Sequence, residues 1–341
     1  MGHDGEVVTT TYDVQGMPAT LSSSTGGSYV SGAAYNAADG PTSISLANAR
    51  TLNFGYRPED LQLTSMSVSG DLLSNTYTYD KAFNVSTIDD DFLVAPLTFT
   101  YDHLNRLTRT EGLYDSEYAY DEIGNMEKKR ENEWYTFERE SVCSDEIDND
   151  VDGRINDGCT ATYPFMCYSL CLGGTGGGPH ALKYVEGDNP AFKPAAAAEA
   201  VVSTVFNSSY DYDANGNLLD EYVGGVYRNR YIYDAEGRVS ALITYPGLVT
   251  SLYTYGEDGT QYKRLTNNPS SAVVYISGIY EKNTVSGVVT KYYHANGQRV
   301  AMRQGTVNPG TLSFITPDYL GSTALVTNAN GALVNRTRYF P

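Results

Sequence analysis

The chain is poor in basic residues, in histidine and in long apolar runs. It has 23 Lys and Arg against 41 Asp and Glu, which gives a formal net charge of −18 at pH 7. An acidic chain without a basic run is a poor partner for nucleic acid or for an anionic membrane. No apolar stretch approaches the roughly 18 residues of a membrane-spanning helix, and the first residues lack the basic and apolar segments of a secretion signal. These absences predict a protein that binds no nucleic acid and has no membrane span.

The sequence also lacks the motifs of common enzymes. Its four His are scattered, and no G-x-S-x-G nucleophile motif, H-E-x-x-H zinc motif or phosphate loop is present. The glycine run at residues 173–178 has no Lys beside it that could complete a phosphate loop, and it is typical of a flexible linker. The many Asp could include a glycosidase pair, but most of them fall in predicted turns. We therefore predict no catalytic residues and no enzymatic activity.

Tyrosine and glycine are abundant, with 30 and 33 residues. Tyrosine favours strands and glycine favours turns. One pattern recurs: aromatic-x-Tyr-Asp, two residues, Gly or Asn, a polar residue, then an aliphatic residue. The copies between Tyr12 and Tyr120 are roughly 19 to 23 residues apart, which is the period of a repeat array. The clearest copies contain Tyr79-Asp80, Tyr101-Asp102, Tyr120-Asp121, Tyr212-Asp213 and Tyr233-Asp234, and weaker copies contain Tyr12, Tyr35, Tyr56, Tyr255 and Tyr293.

Each copy predicts one β-hairpin. The aromatic-x-Tyr alternation is a strand signal, and the Asp side chain can accept hydrogen bonds from backbone amides ahead of it. The Gly or Asn that follows, such as Asn84, Asn105, Gly124 or Gly237, can adopt a positive φ. The array is then a long antiparallel meander whose tyrosine rings stack in ladders on one face. The alternative is a set of ordinary hairpins in a β-sandwich, which the number and regularity of the copies disfavour.

The pattern resembles the YD-repeat (Rhs) family, which includes bacterial Rhs proteins, the shell-forming subunits of insecticidal toxin complexes and the extracellular part of teneurins. The resemblance divides the chain into two repeat arrays, residues 7–140 and 207–341, separated by an insertion at 141–206. The end of the second array is similar to the Rhs-associated core signature. The matching residues are Asp318, Leu320, Gly321, Ser322, Asn330, Gly331, Arg338, Tyr339 and Pro341.

Members of this family wind their hairpins into a hollow β-shell, which in toxin-bearing members encloses a polypeptide that autoproteolysis releases. The resemblance therefore implies a structural module of an extracellular shell, used for encapsulation, toxin delivery or cell contact. Its expected partners are other parts of a larger YD-repeat polypeptide or further copies of itself. The array is shorter than family shells that close, and it ends within the signature. We therefore expect either a fragment or a module that encloses nothing alone.

Two other functions stay open at this point. An unclosed strip of strands leaves unpaired backbone groups at its edges, and edge pairing between copies would build an extracellular filament. A tyrosine-rich surface could also make the chain an adhesive module that binds glycans or proteins.

The insertion contains a calcium-type loop. Three Asp alternate with other residues and precede Gly153, which matches the D-x-D-x-D-G start of such a loop. Ca²⁺ prefers several oxygen ligands, and alternating carboxylates on a tight turn supply them. Cys159 stands where an EF-hand has its Glu, so the loop is not an EF-hand. The alternative is a solvated acidic turn without metal. The predicted ligands are the side chains of Asp148, Asp150, Asp152, Asn156 and Asp157 and the carbonyl of Arg154.

This segment also resembles the short Cys-flanked, Asp-rich repeats of secreted bacterial proteins. That resemblance implies a disulfide between Cys143 and Cys159, and Cys167 and Cys171 form the other possible pair. A zinc site built from the four Cys is the competing interpretation, but their spacing lacks C-x2-C pairs. Disulfides together with calcium indicate an extracellular or cell-surface location. The predicted fold is thus all-β: a strip or partial shell of repeated hairpins with an irregular, disulfide-closed insertion.

Overall fold

The computed structural model shows an all-β fold, as the sequence predicts, and the residues that it describes contain no helix. The predicted calcium loop, the four Cys and most of the insertion lie outside the described residues. The described ranges are 5–90, 93, 95–112, 115–129, 134–137, 182–186, 208–213, 215–267, 270–307 and 310–339.

The described residues form 27 strands. They are β1 (Val8–Tyr12), β2 (Pro18–Ser23), β3 (Gly27–Tyr35), β4 (Pro41–Leu46), β5 (Thr51–Tyr56), β6 (Leu63–Val68), β7 (Leu73–Tyr79), β8 (Val85–Asp90), β9 (Leu97–Tyr101), β10 (Leu107–Glu111), β11 (Ser116–Tyr120), β12 (Met126–Lys129), β13 (Trp134–Phe137), β14 (Leu182–Glu186), β15 (Ser208–Tyr212), β16 (Leu218–Val223), β17 (Val226–Tyr233), β18 (Val239–Thr244), β19 (Val249–Tyr255), β20 (Gln261–Asn267), β21 (Ser270–Ile276), β22 (Tyr280–Asn283), β23 (Val289–Ala295), β24 (Gln298–Gly305), β25 (Thr311–Pro317), β26 (Thr323–Asn328) and β27 (Leu333–Arg336).

Every strand pairs antiparallel with the next strand in the sequence, so the 27 strands form one continuous meander. The sheet also runs through the predicted insertion. Strand β14 lies within the range 141–206 and pairs with β13 on one side and with β15 on the other. The two repeat arrays are therefore parts of a single sheet.

The repeated Asp shapes the turns as the sequence predicts. In the copy at Asp234, Oδ1 accepts hydrogen bonds from the backbone N–H groups of Glu236 and Arg238, at 3.0 and 2.9 Å. Gly237 has a φ of 74°, and its N–H donates to the Asp234 carbonyl. These bonds satisfy the backbone groups of the turn and fix where the return strand starts. The copies at Asp13, Asn36, Asp80, Asp102, Asp213, Asp318 and Asn328 make the same pair of side-chain bonds.

Several turns differ from the prediction. In the copies at Tyr35 and Tyr56, Asp39 and Leu61 take the positive φ, at 63° and 59°. Asn84 does not take the positive φ in its copy: Phe83 does, at 68°, and the Asn84 amide donates to Asp80 Oδ2 instead. The weak copy at Tyr293 is a two-residue turn, in which Asn296 and Gly297 have φ values of 51° and 73°. Asn-Gly is the common sequence of such turns, and this local preference overrides the repeat.

The registers place the repeated aromatic residues on one face of the sheet. Directly opposite residues in paired strands share a face, and successive residues alternate between faces. Followed from strand to strand, Tyr77, Tyr118, Tyr231 and Tyr253 lie on the same side. We call this side the tyrosine face and the other side the opposite face.

The sheet winds over itself, so that its first strands cover its last strands. One core cluster joins Leu52, Met66 and Tyr77 of the first strands to Phe314 and Leu325 of the last strands. The first group lies on the tyrosine face and the second on the opposite face. A sheet folded back like a hairpin would bring two like faces together. Contact between unlike faces is the geometry of a spiral.

The order of the contacts also indicates a spiral. Glu6, ahead of β1, contacts Lys291 in β23; Asn48, between β4 and β5, contacts Thr327 in β26. The two layers therefore run in the same direction. β3 contacts β24, 21 strands further on, and at about 4.8 Å per strand one turn of the spiral contains about 100 Å of sheet. The overlap is the core, and we call it the seam.

Away from the seam the sheet is a single layer. Among the described residues of β15 to β22, only Asp220, Ala241 and Val273 are buried. A strand that packs against another layer has one face fully buried, whereas these strands are half-exposed on both sides. The structure is therefore an open, curved wall whose ends overlap.

The positive φ in the turns gives a direct test of the repeat. We expect Gly237→Ala to lower the free energy of unfolding by about 1 kcal/mol, because an L-residue is strained in the left-handed region. No atom lies within 4 Å of the added methyl group, so this cost comes from the backbone alone. Phe83→Gly relieves the same strain and should leave the stability equal or higher. Chemical denaturation measures both; equal losses in the two variants would contradict the turn assignment.

Candidate functional site

The functional features of the described residues are contacts that join hairpins and layers, and not an enclosed active-site pocket. They include no group of three or more His, Cys, Asp or Glu that could hold a metal ion, and no helix long and apolar enough to cross a membrane. Two shallow grooves lie between neighbouring turns, one beside Asp213 and Asp234 and one beside Arg57 and Asp80. The structure does not place the predicted calcium ligands or the four Cys, which lie outside the described residues.

Most of the repeated tyrosines connect their hairpin to the one before it. The Tyr233 hydroxyl donates a hydrogen bond to the Leu218 carbonyl at 2.8 Å, at the start of the preceding return strand. Burial raises the pKa of Tyr233, so at neutral pH the hydroxyl keeps the proton that it donates. We call this bond the tyrosine tie. The same tie joins Tyr35 to Pro18, Tyr56 to Pro41, Tyr79 to Leu63, Tyr101 to Val85, Tyr120 to Leu107, Tyr255 to Val239 and Tyr339 to Thr323.

The tie corrects the predicted role of the tyrosines. The sequence predicts stacked rings, but within the described residues the repeated contact is made by the hydroxyl. A signal for it is present in the sequence: the residue before Asp is Tyr in all five clear copies, whereas the position two residues earlier also accepts Phe99. A ring alone would suffice for stacking, so this preference for Tyr indicates a use for the oxygen.

The polar residue of the motif makes a second contact between neighbouring hairpins. Arg238 Nε lies 2.8 Å from Asp234 Oδ2, and its guanidinium covers the Tyr255 ring of the next hairpin at 4.9 Å from the centroid. Arg106 links Asp102 to Tyr120 in the same way. Backbone and side-chain hydrogen bonds from Arg238 hold the pKa of Asp234 below its usual value. Asn84, Asn125 and Asn217 donate to the same Asp oxygen where Arg is absent.

Replacing a tied tyrosine by phenylalanine removes the hydroxyl group alone and so measures the contribution of the tie. We expect Tyr233→Phe to lower the free energy of unfolding by about 1 kcal/mol, because it leaves the Leu218 carbonyl without its donor and keeps the ring. Tyr262→Phe is the matched control, since this tyrosine makes no tie and is exposed. Urea denaturation of both variants measures the difference. If the two variants lost the same stability, the tie would have no energetic role.

The seam contains a buried carboxylate. Glu6 is 3% exposed, and its Oε2 lies 2.7 Å from Lys291 Nζ. The Tyr293 hydroxyl donates to Glu6 Oε1 at 3.1 Å, and the Ser23 hydroxyl donates to the same oxygen. The Tyr29 and Tyr293 rings stack beside it with centroids 3.9 Å apart. Burial alone would raise the pKa of Glu6, but the hydrogen bonds and the charge of Lys291 outweigh it and lower that pKa.

Arginine side chains make further contacts across the seam. Arg303 donates to the Tyr29 hydroxyl and to the Gly26 carbonyl. Arg50 Nε donates to the Gly331 carbonyl at 2.8 Å, and Arg338 pairs with Asp90 at 2.8 Å. Two of these four bonds end on backbone carbonyls of the facing layer and two on its side chains, so they fix the position of one layer on the other.

The terminal signature residues lie in or beside this seam. Asp318 caps the turn that contains Leu320, Gly321 and Ser322, and the neighbouring Tyr319 ring lies 5.2 Å from Tyr77 of the first array. Gly331 follows Asn330 in a turn directly against Arg50 and the Asn48 carbonyl. Tyr339 makes a tyrosine tie. Pro341 lies outside the described residues. The signature thus supplies turns and contacts at the overlap.

The buried carboxylate predicts acid sensitivity. A lowered pKa in the folded state means that Glu6 contributes stability above the ordinary carboxyl pKa of about 4.5, and that this contribution is lost as the pH falls through the folded-state pKa. Glu6→Gln should lower the free energy of unfolding by about 3 kcal/mol at pH 7, because it removes the negative charge that faces the buried Lys291 ammonium. Its stability should then fall less than that of the wild type between pH 7 and pH 3.

Urea denaturation across this pH range checks the prediction, with Glu59→Gln, an exposed carboxyl outside the seam, as the control. If the free energy of unfolding fell equally with pH in the wild type and in Glu6→Gln, Glu6 would not contribute to the acid response.

The fold is similar to part of several solved structures. The chain superposes on TcdB2-TccC3 with a TM-score of 0.63 at 14% identity, on TcdB2-TccC3-Cdc42 with 0.61 at 14%, and on a Photorhabdus luminescens Tc holotoxin pore with 0.62 at 14%. These alignments cover 98 to 99% of this chain but 17% of each matched chain, so it spans about one sixth of their length. No protein-family model and no curated protein matches the sequence.

The likeness identifies a class of fold. The matched structures have the Rhs/YD-repeat shell architecture, and almost all of this chain aligns with part of it. The resemblance read from the Tyr-Asp pattern is thereby confirmed at the level of the fold: the repeated hairpins build an open all-β wall of the same kind. At 14% identity the comparison shows the fold alone.

Proposed function

We propose that the chain is a structural wall segment of a larger extracellular shell of the kind that encloses or delivers a toxin. The observation that carries the proposal is the single-layer wall of β15 to β22, which curves away from the seam and is half-exposed on both faces. A wall of this kind separates an inside from an outside, whereas a compact enzyme or binding domain buries one face of its sheet. The match to about one sixth of much longer chains supports a role as one segment among several.

A second candidate function rests on the edges of the sheet. Within the described residues, β1 and β27 each pair on one side only. Val8 in β1 and Leu333 and Val334 in β27 are 46%, 46% and 59% exposed. Unpaired strands with exposed apolar side chains accept further strands. Pairing of β27 in one copy with β1 in the next would build an extracellular filament.

Other predictions from the sequence stay predictions. They are the calcium ion at Asp148, Asp150 and Asp152, the disulfides, the absence of enzymatic activity and the extracellular location. The tyrosine face of β17 to β23 would be the surface of an adhesive module that binds glycans, since Tyr231, Tyr253, Tyr275 and Tyr292 lie on it.

Solution scattering with electron microscopy tests the two functions together. A compact protein of this length has a radius of gyration of about 20 Å. A monomeric open wall should give a clearly larger value that does not change with concentration. A scattering mass that grows with concentration, and filaments in the images, would instead support the polymer.

If the chain polymerises, the edge variant Val8→Lys/Val334→Lys should abolish the increase of scattering mass with concentration. Val285→Lys, which changes an exposed valine in a turn, should leave that increase unchanged. A compact monomer of about 20 Å would contradict both functions.

A further inference from the structure

Tyrosine rings of the two layers meet in the seam. The ring of Tyr319, in the turn after β25, has its centroid 5.2 Å from that of Tyr77 in β7, at an interplanar angle of 52°. Tyr79 follows on the same face of β7, and the registers place Tyr101 of β9 on that face as well. Tyr319 of the last strands therefore faces a tyrosine-rich part of the first strands. We call these four residues the seam tyrosines.

The contact between Tyr77 and Tyr319 combines proximity with access. Tyr319 is 37% exposed, whereas Tyr77 behind it is 3% exposed. The rings of Tyr29 and Tyr293 also meet across the seam and lie closer together, but these residues are 0% and 4% exposed. A reagent in solution can thus reach one ring of the first pair directly, and the layers are joined at that point.

Both rings of this pair keep their hydroxyl proton at neutral pH. Burial raises the pKa of Tyr77 to about 12. Burial, the charge of Asp318 and the nearby Tyr79 raise the pKa of Tyr319. Burial and Tyr319 in turn raise the pKa of Tyr101. A phenol in this state loses its proton when it loses an electron, and it becomes a neutral radical that can bond to a second phenol radical beside it.

We propose that Tyr319 and Tyr77 form an oxidative cross-linking site, at which hydrogen peroxide, activated by a haem peroxidase, joins the two layers of the seam. A carbon–carbon bond forms between the rings, in each case at the carbon next to the one that carries the hydroxyl. The proposal goes beyond the wall function, because it concerns the seam and does not depend on what the wall encloses.

The exposed ring starts the reaction. The oxidised peroxidase takes one electron and one proton from Tyr319, and the Tyr319 radical takes an electron and a proton from Tyr77 behind it. After Tyr319 has been oxidised a second time, the two ring radicals couple. The hydrogen on each newly bonded carbon then moves to the oxygen of its ring. The two electrons and two protons removed from the pair reduce one H₂O₂ to two H₂O.

The bond would change what keeps the spiral closed. The layers otherwise meet through side-chain contacts, such as the ion pairs of Glu6 with Lys291 and of Asp90 with Arg338. A covalent bond between two residues separated by most of the chain restricts the unfolded chain. The cross-linked wall should therefore keep its overlap in conditions, such as acid, that weaken the ion pairs.

Peroxidase treatment of the folded full chain tests the site, at a protein concentration low enough to keep chains apart. The monomer should lose the mass of two hydrogens, and its digest should contain a peptide in which Tyr77 and Tyr319 are bonded. The urea midpoint of the cross-linked monomer should lie above that of the untreated chain. Chain unfolded in urea before treatment should give about ten-fold less of this peptide at equal tyrosine oxidation, because unfolding separates the two rings.

Tyr319→Phe should abolish both the cross-linked peptide and the rise in urea midpoint, and its melting curve verifies that it folds. Tyr227→Phe is the matched control. Its ring also contacts tyrosines, Tyr222 and Tyr245, but within one layer, so the peptide that joins Tyr77 to Tyr319 should remain.

Three results would overturn the proposal: a wild-type digest without this peptide, equal yields from folded and unfolded chain, or cross-links between chains alone. The scattering experiment above uses untreated protein, so failure of the wall function would be seen separately.

Discussion

The hydrogen bond from most of the repeated tyrosines to the carbonyl of the preceding hairpin is the interaction on which the wall depends. A two-stranded hairpin is marginal in water, and a single-layer sheet has no second layer to stabilise it. The tie supplies a side-chain connection between hairpins in addition to the backbone ladder. It starts from the residue next to the Asp that shapes the turn. One dipeptide therefore sets both the geometry of a hairpin and its attachment to its neighbour.

Much of the fold can be predicted from the sequence because its determinants are local. The strands, the turns at Asp213 and Asp234 and the meander order follow from a pattern that repeats within about a dozen residues. The exceptions have local causes as well: Asn296-Gly297 prefers a two-residue turn, and Phe83 occupies a position where glycine would be expected. The ring-stacking prediction was wrong because the pattern shows which residue recurs but not which of its atoms makes the contact.

The seam could not be predicted in the same way. Glu6 and Lys291 are separated by most of the chain, and neither belongs to the repeat. Their pairing depends on the accumulated twist and curvature of more than twenty strands, which no short window of sequence contains. The same holds for the contacts of Arg50 and Arg338. The terminal signature was recognised by resemblance, but its position against the first array is a consequence of the winding.

The overlap of unlike faces has a consequence for how such a chain can change in length. In a closed barrel, the number of strands and their stagger are coupled, so adding a hairpin forces every strand into a new arrangement. Here the two ends meet through side chains, and the backbone ladder never closes. A duplicated hairpin would lengthen the circumference by about 10 Å and slide one layer along the other. Gain and loss of whole repeats are therefore compatible with an intact sheet, which makes the diameter of the wall an evolvable quantity.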